Sequence, residues 1–117
     1  MANPSWDAIV TYLTWVTTST NSFNVPSGTG AITFILPDFT TDTTTALEAL
    51  SPIDQTTWYA VKPLDVTAGS GAVDAIVLPE STYVVVPASA MGAGTFRLTN
   101  ANSQAALKAT VIMDRVN

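Results

Sequence analysis

The chain has 117 residues, a formal net charge of -5 and neither His nor Cys. This inventory excludes disulfides, thiolate metal sites and a histidine base, and the scattered cations Lys62, Arg97, Lys108 and Arg115 do not form the basic cluster that nucleic acid or an anionic membrane surface demands. Charged residues fill only 11% of the chain, so with 19 Thr and 47% hydrophobic content its surface must be covered by Thr, Ser, Asn and Ala.

The length fits a single domain over 1–117, with an N-terminal arm or helix at 1–20 and a β body at 31–117. Residues 1–7 (MANPSWD) lack the basic start, apolar run and small-residue cleavage site of a secretory signal. No apolar stretch approaches the roughly 20 residues that span a bilayer. The expectation is a chain made in the cytoplasm without a signal peptide and without a membrane partner.

Residues 3–18 (NPSWDAIVTYLTWVTT) carry helix-start chemistry, with Asn3 or Ser5 as N-cap, Pro4 in the first turn and Asp7 near the positive end of the dipole. Trp6, Ile9, Val10, Leu13 and Val16 share one stripe of a helical wheel, which predicts a short N-terminal helix. Ala8, Tyr12 and Trp15 form a second apolar strip on its opposite side. The β-branched content of the segment also permits a strand.

Residues 21–30 (NSFNVPSGTG) are turn chemistry, and 31–36 (AITFIL), stopped by Pro37, predict a strand buried on both faces. The Thr-rich stretch that follows ends in 43–50, where Ala46, Leu47, Ala49 and Leu50 precede Ser51 and Pro52 and predict one or two helical turns. Five β-like runs come next: 58–62, 73–78, 83–86, 95–99 and 106–114, separated by Pro, Gly, Ser and Asn clusters. In the last run Leu107, Ala109, Val111 and Met113 alternate with Lys108, Thr110, Ile112 and Asp114, giving one apolar and one mostly polar face. Regular strand spacing without helix-length connections predicts a mainly β protein, an antiparallel β-sandwich or jelly-roll-like domain with a short N-terminal helix.

Chemistry-bearing constellations are sparse. The Ser and Lys residues have no base beside them, and the carboxylates that could pair for acid–base work are Asp38 with Asp42 and Asp54 with Asp65. Asp38 and Asp42 could also offer oxygens to calcium, but without the spacing of a calcium loop. The glycine stretches 69–71 and 92–94 lack the Lys and the strand-to-helix setting of a phosphate loop. The chain is therefore expected to have no catalytic, cofactor-binding or metal-binding residues and not to be an enzyme.

The aromatics and the hydropathy point to contact instead. Trp6 and Trp58 read as core fillers, with a sugar-stacking platform of Trp6, Trp15, Trp58 and Tyr59 as the alternative. Trp15, on the helix face opposite the main stripe, reads as an interface anchor, and Trp6, Tyr12 and Trp15 are the candidate interface residues. A mean hydropathy of +0.31 in so small a chain leaves more apolar surface than one protomer hides. A homo-oligomer, with a trimer the favoured form, or docking onto a larger lattice would bury the excess.

The Thr/Ala/Gly/Val-rich, His-free and Cys-free β domain, the Met-Ala start and the closing strand (ALKATVIMDRV) give the chain a style that resembles the decoration or cement proteins of tailed-bacteriophage heads. The resemblance covers the whole chain but rests on no diagnostic motif, and no functional residue carries over from it. It implies a protomer on the exterior of the virion capsid that associates with itself and with the major capsid protein lattice, clamping adjacent subunits against internal DNA pressure. A small coat or tail subunit and a glycan-binding β module or fibre component are the alternatives. In this reading residues 2–20 make the contacts, and their deletion is expected to leave a soluble monomer that no longer assembles.

Overall fold

The computed structural model describes residues 6–63 and 74–116, with side chains described for 8–63 and 74–114. Their nine strands are β1 (Trp6–Thr14), β2 (Phe23–Val25), β3 (Thr29–Ile35), β4 (Thr44–Leu50), β5 (Trp58–Ala60), β6 (Val77–Pro79), β7 (Tyr83–Pro87), β8 (Gly94–Thr99) and β9 (Lys108–Val116), with one 3-10 turn at Ala88–Ala90. They form two antiparallel sheets, one ordered β1-β9-β3-β7, the other β2-β8-β4-β5 with β6 also paired to β4. The mainly β, antiparallel expectation holds. The N-terminal helix does not.

Residues 6–14 form a strand because a partner of matching length exists for them: β1 pairs with β9 over nine positions, from Trp6↔Val116 to Thr14↔Lys108. A helical stripe read from local spacing is a weak prior, and Val10, Thr11 and Thr14 lower it further. As a strand, the segment turns Leu13 and then Trp15 inward, where they are 0% and 1% exposed, while Tyr12 points out.

Residues 44–50 are likewise a strand in place of the expected helical turns. Thr45 and Leu47 face the core, and Ala46 to Ala49 pair with Thr99 to Phe96 of β8. The region read as turn between 21 and 30 hides the three-residue β2, whose ends Phe23 and Val25 are buried.

Hydrophobic burial joins the two sheets. Ile32, Phe34, Val111 and Met113 of the first sheet meet Leu47, Phe96, Leu98 and β2 of the second in one cluster. Phe23 stands edge-on to Phe34, with ring centroids 5.9 Å apart, and lies 6.0 Å from Phe96, so one ring touches both layers. Each such side chain contributes about 1.5–3 kcal/mol of burial.

The chain passes from one sheet to the other at residues 15–20. Trp15 still bonds to the start of β9, donating to the Leu107 carbonyl at 2.9 Å and accepting from the Ala106 N–H at 2.9 Å. Three residues on, the Thr18 carbonyl accepts from Asn100 at 2.7 Å and Thr20 donates to Leu98 at 2.9 Å. A buried polar cluster fixes this corner: Asn100 Oδ1 accepts from the Trp15 indole N–H at 2.9 Å and from the Thr45 hydroxyl at 2.7 Å, and its amide donates to the Thr44 carbonyl. Gln104, 1% exposed, accepts from the Thr40 N–H at 2.7 Å. Buried polar groups need such partners, because leaving one unpaired costs about 1–3 kcal/mol.

Candidate functional site

The register of the first sheet decides what its outer side presents. Val10, Ile112, Thr33 and Val85 lie in one row across β1, β9, β3 and β7, and Tyr12, Thr110, Ile35 and Tyr83 form the next. Ala8, Asp114, Ala31 and Pro87 form a third row at one end. Tyr12 is 71% exposed, Tyr83 67%, Val85 56%, Val10 49% and Ile35 39%. The two middle rows carry no charge, and among the described side chains on this face the charged ones are Lys108 and Asp114, at opposite ends of the outward positions of β9. A contiguous apolar face of this kind is the usual mark of an association surface.

The outer side of the second sheet is built differently. Arg97 pairs with Glu48 at 2.8 Å and stacks over the Trp58 ring at 4.3 Å, and the Thr95 hydroxyl bonds to Asn24. Ser19 and Thr99 share a hydroxyl–hydroxyl bond on the same side. These groups satisfy one another within the protomer.

The structure separates the candidate interface residues. Tyr12 lies in the apolar face. Trp15 does not: it is a core residue, edge-on to Phe39 at 5.4 Å, because strand geometry puts positions 12 and 15 on opposite sides where a helix would place them on one. The side chain of Trp6 lies outside those described, and its backbone pairs with Val116 of β9. Trp58 is half-buried beneath Arg97 instead of in the core. It neighbours Tyr59 on β5, so the two point to opposite sides and share no sugar platform with the buried Trp15.

Two of the acidic candidates, Asp42 and Asp54, accept hydrogen bonds within the protomer. Asp42 accepts from the Asn102 N–H at 3.0 Å and from its side-chain amide, and these two bonds hold its carboxyl below the usual range. Asp54 accepts the Thr57 hydroxyl at 2.6 Å and the N–H groups of Thr56 and Thr57 at 2.9 and 3.0 Å. The Thr57 hydroxyl, followed by these N–H groups, lowers its pKa from 3.8 to about 2. Asp65 and the 69–71 glycine stretch lie outside the described residues. Among the described residues no three acidic groups gather as metal ligands. A groove of about 450 Å³ lined by Ala49, Leu50, Pro52, Met91 and Phe96, among others, carries no ionisable side chain.

A pH dependence follows from Asp54. Its folded pKa lies below its unfolded value, so its contribution to stability is present above about pH 4 and is lost as pH falls towards 2. The melting temperature should drop across that window, and Asp54→Ala should drop less than wild type. Parallel pH profiles for the two proteins would remove Asp54 from the account.

No family model matches the chain, and no curated protein matches its sequence. Its fold is similar to the crystal structure of the SPBc2 prophage-derived protein YomS, with a TM-score of 0.63 over 97% of this chain and 98% of that one. The two sequences are 10% identical, so the likeness is one of fold.

Proposed function

We propose that this chain is a non-enzymatic structural protein of a bacteriophage particle, and specifically a decoration protein that associates with itself and with the major capsid lattice on the outside of the head. The observation that carries the reading is the uncharged, register-matched face around Val10, Tyr12, Ile35, Tyr83 and Val85. A protein that works by contact needs a rigid shape and a self-consistent surface, and the sandwich offers both. Two of the carboxylates accept structural hydrogen bonds, Asp54 within its own turn and Asp42 from Asn102. The fold shared with a prophage-derived protein supports the phage setting.

The test is made on particles. In lysates of the cell producing the protein, separated on a density gradient, the chain should sediment with heads at a copy number that follows the capsid subunits. A chain left wholly in the soluble fractions would reject the proposal, and a copy number matching the tail would assign it there instead.

Val85→Asp provides the specific arm. Val85 is exposed on the edge strand β7, so the fold should persist, but an unpaired charge buried in an interface costs about 2–5 kcal/mol. Attachment should weaken by about 30-fold or more, read as the fraction of chain retained on heads.

A further inference from the structure

We propose that the outer face of the β1-β9-β3-β7 sheet pairs with the same face of a second copy of this chain, about a two-fold axis lying between the sheets and running across the strands. The inference rests on the reading of this face as an association surface and names what covers it. The outward positions of β9 run Lys108, Thr110, Ile112 and Asp114, so the face is positive at one end, negative at the other and neutral in sum. Six residues of strand place the two charges about 20 Å apart, symmetrically about Val111.

A face-to-face pair can be related by an axis along the strands or across them. An axis along the strands stacks Lys108 on the partner's Lys108 and Asp114 on the partner's Asp114. An axis across the strands at Val111 brings Lys108 of each copy against Asp114 of the other, twice. Only the second arrangement is complementary, and it uses one patch on both partners, as an isologous interface requires. It also joins two chains of net charge -5 through a neutral surface, leaving the acidic excess outward.

Side-chain size agrees with this axis. It lays the row of Val10, Thr33 and Val85 on the partner's row of Tyr12, Ile35 and Tyr83. Each larger side chain meets a smaller one, which suits two sheets packed about 10 Å apart. The pair then presents two identical remaining surfaces, so bridging two capsid subunits follows from pairing itself, and loss of pairing removes the bivalent hold. A two-fold pair replaces the trimer expected from composition.

The experiment is sedimentation equilibrium of the purified full chain over a wide concentration series, with melting curves to confirm that each variant is folded. Wild type should show a monomer–dimer equilibrium. Lys108→Asp and Asp114→Lys each convert both contacts into like-charge pairs and should raise the dissociation constant about tenfold or more, whereas the double exchange should return within about threefold of wild type. Singles without effect on an intact dimer, a double variant as weak as the singles combined, or a trimer would each overturn the pairing. A wild type that stays monomeric throughout, while Val85→Asp still leaves the particle, would overturn the pairing but keep the association surface. Val85→Asp remaining on particles at wild-type levels would overturn both.

Discussion

Trp15→Ala is expected to bring the domain close to its unfolding limit, lowering the melting temperature by about 15–20 °C. The indole is 1% exposed, meets Phe39 edge-on and donates its N–H to Asn100. Truncating a buried Trp costs about 3–5 kcal/mol, against a total stability of about 5–15 kcal/mol for a domain. Asn100 keeps its bond from the Thr45 hydroxyl and its own donation to Thr44, so the polar penalty is a fraction of the whole. Tyr12→Ala, three residues away, should change stability by no more than about 0.5 kcal/mol because the ring lies outside the core. The contrast tests the strand itself, since a helix would place both residues on one face. Equal losses in the two variants, measured by thermal and denaturant unfolding, would contradict the register of β1 with β9.

The same contrast explains what the sequence could disclose. The last strand was legible because Ala109, Val111 and Met113 are buried while Lys108 and Asp114 label the other side. In β1 no such label exists over its central positions. On one side of the strand Leu13 is buried, Thr11 half-buried and Ile9 exposed at 38%, and on the other Ala8, Val10 and Tyr12 face out, so both alternating sets mix apolar residues with few charges and a helical stripe looks better than it is. What decided the segment was its nine-residue ladder with β9, about a hundred residues away in the chain. No local pattern reports that partner. In β4 the alternation of Thr45 and Leu47 with Ala46 and Glu48 was present, but Ala and Leu also favour helix, and pairing with β8 made the choice.

The exposed apolar face of the first sheet has a counterpart in the sequence. Runs such as 31–36 (AITFIL) and 83–86 (YVVV) are apolar at successive positions, whereas antiparallel strands with one solvated face alternate. For 31–36 that continuity predicts a strand buried on both faces. Ile35, Tyr83 and Val85 are instead exposed, so the second apolar set of these strands is not covered within the protomer. Trp15 misled in the opposite direction. An aromatic assigned to the outside by helical spacing is, among the described residues, the largest of the fully buried side chains.

Deleting residues 2–20 should therefore not release a soluble monomer, as an N-terminal contact arm would. The deletion removes all of β1, together with Leu13, Trp15 and the corner that ends at Thr20. Loss of Leu13 and Trp15 from the core costs about 5–10 kcal/mol before any backbone bond is counted, which is comparable with the whole margin of about 5–15 kcal/mol. The ladder with β9 goes as well, and β9 becomes a long edge with unpaired N–H and C=O groups beside Val111 and Met113, a template for aggregation. The expected result is insoluble protein, or a soluble fraction with collapsed amide dispersion in its proton spectrum. A well-dispersed monomer spectrum from the truncated chain would show that β1 is dispensable and restore the arm. Because β1 turns Leu13 inward and Val10 and Tyr12 outward, deletion cannot separate folding from contact, and substitution at the outward positions can. Tyr12→Asp should preserve the melting temperature within a few degrees while weakening association, the combination that only a strand with one face in the core and one face in an interface produces.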